Sequence, residues 1–420
     1  MYYFFFVPLG TELKIRRFPF AVLTLAVINF GYFLLFHYSP EHAERMGALA
    51  FDTDHPTVLT AFTACFLHSD WFHLIGNLAY LLTFGPALED RLSGAKFLLL
   101  YLASGIGAMM AQLLANQAHL PGESGPLVLG ASGAISGILG LFVIRCGFAR
   151  VRVAHVTMAL LQGMSRGGAS RINSVLAVGF WFFLQLVYAL IYGGHGNTAY
   201  GTHLGGVIIG VGLALSMGLH RQGAIEKVWI RARRHADAGQ WFAASGETIS
   251  YLKRAPGDID AWLQLARLGR VLKRPSEAVG AYLKAIDLLW KERRRHEAVR
   301  AARELRRYFP HVRLRPALLY RLGLHLERHG DLGWAAHTLQ DYALVYPSHE
   351  RAPAALLRAA EIEGRLRNDL ERAREIYSEL SEKYPFTPEG EKAMKLAGVV
   401  SRIYDNRDWG EERIRDGTDS

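Results

Sequence analysis

The chain has 420 residues, 48 Lys and Arg, 38 Asp and Glu, a net charge of +10 and 50% hydrophobic residues. Only 20 of the first 220 residues are charged, against 66 of the remaining 200. A soluble domain carries roughly 25% charged residues, so the first part suits lipid and the second water. This composition, with only Cys65 and Cys146, excludes a fully soluble enzyme, a collagen-like or disordered chain, a disulfide-built secreted protein and a cysteine-ligated metal site.

Six apolar runs nearly free of charge occur in the first part of the chain. A hydrocarbon core of ~30 Å requires about 20 apolar residues in a helix, and each run approaches that length. We therefore predict six transmembrane helices, the first of them retained, since no small-residue cleavage site follows it. The runs are 18–36, 71–88, 97–115, 127–144, 174–192 and 199–219.

The positive charges predict the orientation of these helices. Lys and Arg in short loops are retained on the cytoplasmic side. Ten lie before the first run, between the second and third, and between the fourth and fifth, whereas the other loops hold Arg45 alone. The ten are Lys14, Arg16, Arg17, Arg91, Lys96, Arg145, Arg150, Arg152, Arg166 and Arg171. We expect an integral protein of a bacterial inner membrane with both termini in the cytoplasm.

Polar residues begin the second, fourth and sixth runs, which all enter from the outer face. Polar groups at membrane depth are functional candidates. Ser132 supplies a hydroxyl nucleophile and His203 a base that can accept its proton. His73 and Asn77 are four residues apart on one helix face, where they could stabilise an oxyanion. The last three runs contain no Asp or Glu, so the sequence predicts a Ser–His dyad.

Each of these patterns has another interpretation when it stands alone. Gly-x-Ser-Gly can be a packing motif, a single membrane histidine can bind haem or a metal, and His-x-x-x-Asn can be an interhelical hydrogen-bonding pair. Their occurrence at one depth on three helices favours catalysis. We expect no cofactor and no metal, and we interpret His68 and His195 as loop residues beside the site.

Glycines predict close approach of the fourth and sixth runs. Gly133 and Gly137 in one run, and Gly206 and Gly210 in the other, have the small-xxx-small spacing that lets helix backbones approach. Such an approach is what contact between a hydroxyl and an imidazole requires.

Together these residues resemble the rhomboid intramembrane serine proteases over about residues 7–220. The resemblance rests on LHSDWFHLIGN at 67–77, ALEDR at 87–91, GASG at 130–133 and HLGG at 203–206. It implies a serine endopeptidase that cleaves transmembrane segments of membrane proteins near the outer face. The implied residues are Ser132 as nucleophile, His203 as base, and His73 and Asn77 in the oxyanion hole, within a six-helix core whose fifth helix is a lateral gate.

The sequence departs from that family at two positions. TAFT at 60–63 replaces the Trp-Arg pair that many members carry in the first outer loop. Ser136 stands four residues after the nucleophile, where an aromatic residue often stacks on the catalytic histidine. The orientation of His203 must therefore come from elsewhere.

The second part of the chain predicts a cytosolic α-solenoid. Residues 221–235 form a basic juxtamembrane linker that favours anionic lipid over nucleic acid. An alanine precedes a proline by twelve residues at Ala244/Pro256, Ala298/Pro310, Ala335/Pro347 and Ala373/Pro385. Residues 236–400 resemble tetratricopeptide-repeat (TPR) helix pairs, with a break in phase near 291–310 and a polar tail at 401–420. We expect a cytosolic protein or peptide partner on this domain, and a packing or dimerisation platform remains the alternative.

The complete prediction is an all-α protein that combines a six-helix transmembrane protease with TPR-like helical repeats. A different interpretation is a catalytically inactive rhomboid-like protein that binds transmembrane helices for sorting or degradation. The presence of both Ser132 and His203 argues against it, because a binding protein needs neither. In a third interpretation the membrane part is only an anchor, but one helix would be enough for that.

Overall fold

The computed structural model describes residues 2–39, 41–116, 127–159, 164–192 and 200–416. The chain is mostly helical and divides into two compact units, Met1–Lys227 and Val228–Ser420.

Each of the six apolar runs contains a helix of the first unit. The helices are α1 (Phe20–His37), α2 (His42–Leu49), α3 (Val58–Thr63), α4 (Trp71–Leu92), α5 (Gly94–Asn116), α6 (Ser132–Cys146), α7 (Ser174–Tyr192), α8 (Tyr200–Ser216) and α9 (Leu219–Asp237). By length and composition α1, α5 and α7 can each cross a membrane, and up to five spans result if the bent pairs α3–α4 and α8–α9 each count as one.

Helix α6 is shorter than the run that predicted it. It has 15 residues and begins at Ser132, whereas the apolar run begins at residue 127. The difference arises because Leu127–Val128 forms strand β3, which pairs antiparallel with β2 (Phe51–Asp52). The chain then turns at Gly130 before the helix starts.

A three-stranded antiparallel sheet is the part of this unit that the all-α prediction missed. Its strands are, in order across the sheet, β1 (Tyr2–Thr11), β4 (Arg150–Ala159) and β5 (Met164–Asn173). In the central strand, β4, Val151 and Val153 are buried, while Arg152 between them is exposed, which is the two-residue period of a strand.

The acidic residues that end α4 hold the segment leading into α1. Glu89 is buried and accepts hydrogen bonds from the backbone N–H groups of Ala21 and Val22, at 3.0 and 2.9 Å. Asp90 accepts bonds from the N–H groups of Arg16 and Arg17 at 3.0 and 2.8 Å. Carboxylates near a helix N-terminus satisfy its free donors and complement its dipole. These bonds fix the start of α1 against the end of α4.

A buried ionic cluster joins α4, α6 and α9. Glu226 accepts bonds from Arg91 Nη2 at 2.5 Å and from Arg145 Nη1 at 2.7 Å. Only 9% of each arginine side chain is exposed. Arg145 lies in the last turn of α6, whereas the sequence interpretation counted it among the loop charges. Removing one member would leave an uncompensated buried charge, so this cluster fixes the ends of α4 and α6 against α9.

The second unit is a succession of helices in which most neighbours along the chain pack together. After α9 these are α10 (Trp241–Leu252), α11 (Ile259–Val271), α12 (Pro275–Lys291), α13 (Arg295–Tyr308), α14 (Pro316–Arg328), α15 (Leu332–Val345), α16 (Ala352–Glu361), α17 (Leu370–Lys383) and α18 (Pro388–Asp416). The main packing partners are α11 with α12, α14 with α15, and α17 with α18. Helix α13 covers most of the region near 291–310, where the alanine–proline pattern changes phase.

One type of turn recurs five times in this unit. Each turn has a residue with positive φ, and a fully buried alanine follows five positions later in the next helix. The backbone N–H of the residue after the positive-φ residue donates a hydrogen bond to a carbonyl oxygen near the end of the preceding helix, as in a Schellman motif. The pairs are Gly239/Ala244, Lys273/Ala278, Arg293/Ala298, Gly330/Ala335 and Asn368/Ala373. The small alanine lets the second helix pack closely after each turn.

Candidate active site

Ser132 is the first residue of α6, and a glycine makes room beside it. Gly130 has φ +122°, a conformation that favours glycine, and its N–H donates to the carbonyl of Ala64 at 2.8 Å. A Cβ at this position would lie 2.7 Å from Nε2 of His73 and 3.5 Å from Oγ of Ser132. Gly130 therefore lies against the His73 ring and close to the Ser132 hydroxyl, and a larger residue would displace the ring.

The ring of His73 is oriented by the N-cap of α4. Asp70 accepts a bond from the backbone N–H of His73 at 2.9 Å, and Ser69 Oγ donates to Asp70 at 2.7 Å. Having used its hydrogen, Ser69 Oγ accepts from Nδ1–H of His73 at 3.1 Å. In this neutral tautomer Nε2 carries a lone pair. Nε2 can donate a hydrogen bond only when the ring is protonated.

Asn77 lies one turn further along α4 and has an unused donor. Its side chain is 9% exposed, and its Nδ2 atom is buried without a hydrogen-bond partner among the described residues. Leaving a buried donor unsatisfied costs about 1–3 kcal/mol. Such a group is stabilised by an acceptor that enters the site, as an oxyanion would.

The crossing of α6 and α8 brings the surroundings of Ser132 and His203 together. A Cβ on Gly133 would lie 2.6 Å from Cγ2 of Thr202, and a Cβ on Gly206 would overlap the carbonyl oxygen of Gly133. Among the described side-chain contacts, no direct hydrogen bond joins Ser132 to His203. Catalytic hydrogen bonds are often long without substrate and shorten in the reacting complex.

Gln185 on α7 orients the ring of His203. Its Oε1 accepts a hydrogen bond from Nδ1 of His203 at 2.8 Å, and Trp181, one turn earlier, has its ring centroid 5.9 Å from that of His203. An amide oxygen can only accept, so Nδ1 carries the hydrogen and Nε2 is free to take a proton. The sequence interpretation missed Gln185, although a polar residue within the run 174–192 was a signal.

Gln112 on α5 fixes the first turn of α8. Its Oε1 accepts bonds from the backbone N–H of Thr202 at 2.9 Å and from the Thr202 hydroxyl at 3.3 Å. Thr202 immediately precedes His203, so this buried glutamine positions the backbone of the candidate base. It was also missed, and its polarity within an apolar run was again the available signal.

Ser136 has a purely local contact. Its hydroxyl donates to the carbonyl oxygen of Ser132 at 2.6 Å, within α6. It therefore does not replace the aromatic side chain that the resemblance would place against His203. In this chain α7 supplies the contacts to that ring instead.

His68 lies in the loop before α4, where the sequence interpretation placed it. It is 2% exposed, and its ring centroid is 5.2 Å from that of His73. It therefore packs against His73 beside the site. His195, interpreted in the same way, lies outside the described residues.

Comparison with known proteins shows similarity to one family. Residues 55–220 match the Rhomboid domain family. The chain is similar to Rhomboid protein 1, mitochondrial, of Saccharomyces cerevisiae, with 32% identity over 179 residues, 43% of this chain and 46% of the yeast protein. It is also similar to Rhomboid-like protein 11, chloroplastic, of Arabidopsis thaliana, with 29% identity over 123 residues, 29% of this chain and 41% of that protein.

A bacterial relative matches a shorter stretch. The putative rhomboid protease YdcA of Bacillus subtilis is 36% identical over 85 residues, 19% of this chain and 38% of that protein. The chain thus spans less than half the length of these curated relatives. These matches support the rhomboid family for the first unit, and its apolar helices indicate an integral membrane protein.

Proposed function

We propose that this chain is a rhomboid-type intramembrane serine protease that cleaves the transmembrane segments of membrane proteins near the outer face. The observation that carries this proposal is the position of Ser132 Oγ at the N-terminus of α6, with His73 beside it and the helix bearing His203 packed against α6. In this proposal the first unit is a six-helix transmembrane bundle. Both termini lie in the cytoplasm of a bacterial inner membrane.

The proposed reaction is acyl transfer through Ser132. Its Oγ attacks the carbonyl carbon of the scissile peptide bond while its proton passes to Nε2 of His203. The resulting imidazolium gives that proton to the leaving amine as the C–N bond breaks. His203 then takes a proton from water, whose oxygen attacks the acyl ester. The returning proton restores the Ser132 hydroxyl and releases a carboxylic acid.

Donors around the nucleophile would stabilise the oxyanion. Nδ2 of Asn77 is buried and unpaired among the described residues, and the N–H groups at the start of α6 have no preceding turn to bond to. The positive end of the α6 dipole adds to this effect. His73 would contribute a donor from Nε2 in its protonated form, since Ser69 accepts the hydrogen on Nδ1.

For the second unit we propose a TPR-like solenoid at 236–400 that recruits a cytosolic protein or the cytosolic tail of a substrate. Its recurrent turn and buried alanine support a repeat architecture. The basic segment 221–235 would bind anionic lipid headgroups where the chain leaves the membrane.

Cleavage by purified protein in liposomes tests the protease. With a generic single-helix substrate, Ser132→Ala and His203→Ala should each reduce cleavage by several orders of magnitude. Ser216→Ala is the matched control, because Ser216 is exposed at the other end of α8. Substrate binding without cleavage by the wild-type protein would instead favour the inactive, helix-binding interpretation. Cleavage by either site variant at the wild-type rate would exclude the dyad.

A further inference from the structure

Three histidines meet in the second unit at the break in the repeat. His325 lies on α14 and His329 caps the same helix four residues later, so both project from one face. His296 lies in the first turn of α13 and faces them. The helices that carry these residues belong to the same compact unit, Val228–Ser420.

The three imidazoles are close enough to bind one ion. The ring centroids are 4.3 Å apart for His325 and His329, 4.6 Å for His296 and His329, and 5.3 Å for His296 and His325. One nitrogen from each ring lies within 4.8 Å of the others. Zn–N bonds of 2.0–2.1 Å in a tetrahedron separate nitrogens by about 3.3 Å. Rotation of the exposed His296 and His329 side chains can shorten the distances between the nitrogens to this value.

His325 gives the cluster a buried ligand atom. Its side chain is 7% exposed, and its Nε2 atom has no hydrogen-bond partner among the described residues. An unsatisfied buried polar atom costs about 1–3 kcal/mol, so a metal bond to Nε2 would relieve an existing penalty. This unpaired nitrogen is a second observation in favour of a bound ion, and it does not depend on the clustering of the three rings.

We propose that His296, His325 and His329 bind a divalent transition metal of the zinc class. Imidazole suits zinc, copper and nickel, whereas magnesium and calcium prefer oxygen ligands. A water molecule or small anion would complete the coordination on the exposed side of His296 and His329. The ion would link α13 to α14 where the repeat loses its phase, and would stabilise the second unit. This site is independent of the chemistry at Ser132.

The test uses the full-length protein in detergent, purified without a histidine tag and titrated calorimetrically with Zn²⁺. We expect one Zn²⁺ per chain and no binding of Mg²⁺ under the same conditions. His296→Gln and His329→Gln should each weaken zinc binding at least tenfold. His311→Gln is the matched control, since His311 is exposed in the same unit but lies outside the cluster, and it should bind as the wild type does.

Thermal unfolding gives a second measurement. Because His296 and His329 are exposed, the double variant should unfold near the wild-type temperature without zinc. It should lose the rise in unfolding temperature that zinc gives the wild type. Equal zinc affinity in the wild type and the double variant would overturn the proposal, and so would wild-type protein that binds no zinc.

Discussion

Asn77 provides a test of the oxyanion site that is separate from the nucleophile. Its buried, unpaired Nδ2 is expected to bond only when negative charge develops on the substrate. Asn77→Ala should therefore lower kcat about 10²–10³-fold, the usual cost of one oxyanion donor. Asn29→Ala is the matched control, because Asn29 is a buried asparagine on α1 whose Nδ2 bonds to the carbonyl of Leu25. If the two variants lose activity equally, Asn77 has no specific role.

Gln185 is predicted to be a positioning residue that acts through His203. Gln185→Leu removes the oxygen that accepts Nδ1–H, so part of the His203 population should adopt the wrong tautomer or orientation. We expect kcat to fall about fivefold, consistent with one hydrogen bond worth about 1 kcal/mol, while KM stays the same. Gln185→Glu keeps an acceptor oxygen and should restore kcat. A change in KM alone would contradict this role.

At the scale of helices, the packing of α8 on α6 depends on glycine. A Cβ on Gly210 would overlap the carbonyl oxygen of Gly137, whereas a Cβ on Gly212 would meet nothing within 4 Å. Gly210→Ala should therefore destabilise the protein by about 1–3 kcal/mol through overpacking, and cleavage should fall with it. Gly212→Ala, on the same helix, should leave both unchanged. Thermal unfolding in detergent measures the difference, and equal stability of the two variants would refute the packing argument.

The recurrent turn of the second unit predicts two stabilising substitutions. Lys273 and Arg293 have φ of 56° and 61° at positions where Gly239 and Gly330 occupy the equivalent turns. A side chain in this conformation costs roughly 1–2 kcal/mol, so Lys273→Gly and Arg293→Gly should each stabilise the unit by about 0.5–1 kcal/mol. Gly330→Ala should have the opposite effect. Denaturant unfolding of the full-length protein measures these changes, and destabilisation by both glycine variants would contradict the prediction.

At the scale of the whole molecule, the chain combines a unit of apolar helices with a second unit that is rich in charged residues. A truncation after about Arg234 keeps α1 to α8 and the part of α9 that contains Glu226, with its bonds to Arg91 and Arg145. We expect the truncated protein to insert into membranes and cleave a generic substrate. It should lose its preference for substrates with a cytosolic tail that binds the repeats, because tethering raises the local substrate concentration.

Two substrates that share one transmembrane segment, with and without a cytosolic tail, measure this preference. The full-length protein should favour the tailed substrate, and the truncated protein should cleave both alike. If a folded and inserted truncation cannot cleave the tailless substrate, the repeats support the catalytic unit and the recruitment proposal fails.

Much of the helical architecture could be predicted because it depends on local composition. The apolar runs are helical because backbone groups in lipid must be satisfied within the segment. The sheet was missed because the alternation of apolar and polar residues in 150–159 is short and irregular. The same segment can therefore be interpreted as a loop. Strand β4 is stabilised by pairing with β1, which lies about 140 residues earlier in the chain. Local pattern cannot reveal such a partner.

The sequence by itself determined the candidate chemistry of this protein, because Ser132, His203, His73 and Asn77 are identified by residue type, spacing and predicted depth. Only the tertiary structure decided how these groups are held. Gln185 reaches His203 from α7 and Gln112 reaches Thr202 from α5, and both contacts depend on helix packing. The histidine cluster has the same origin, since His296 and His325 lie on different helices and only the fold brings their nitrogens close together. Spacing along the chain predicts contacts within one helix, whereas contacts between helices are set by packing and burial.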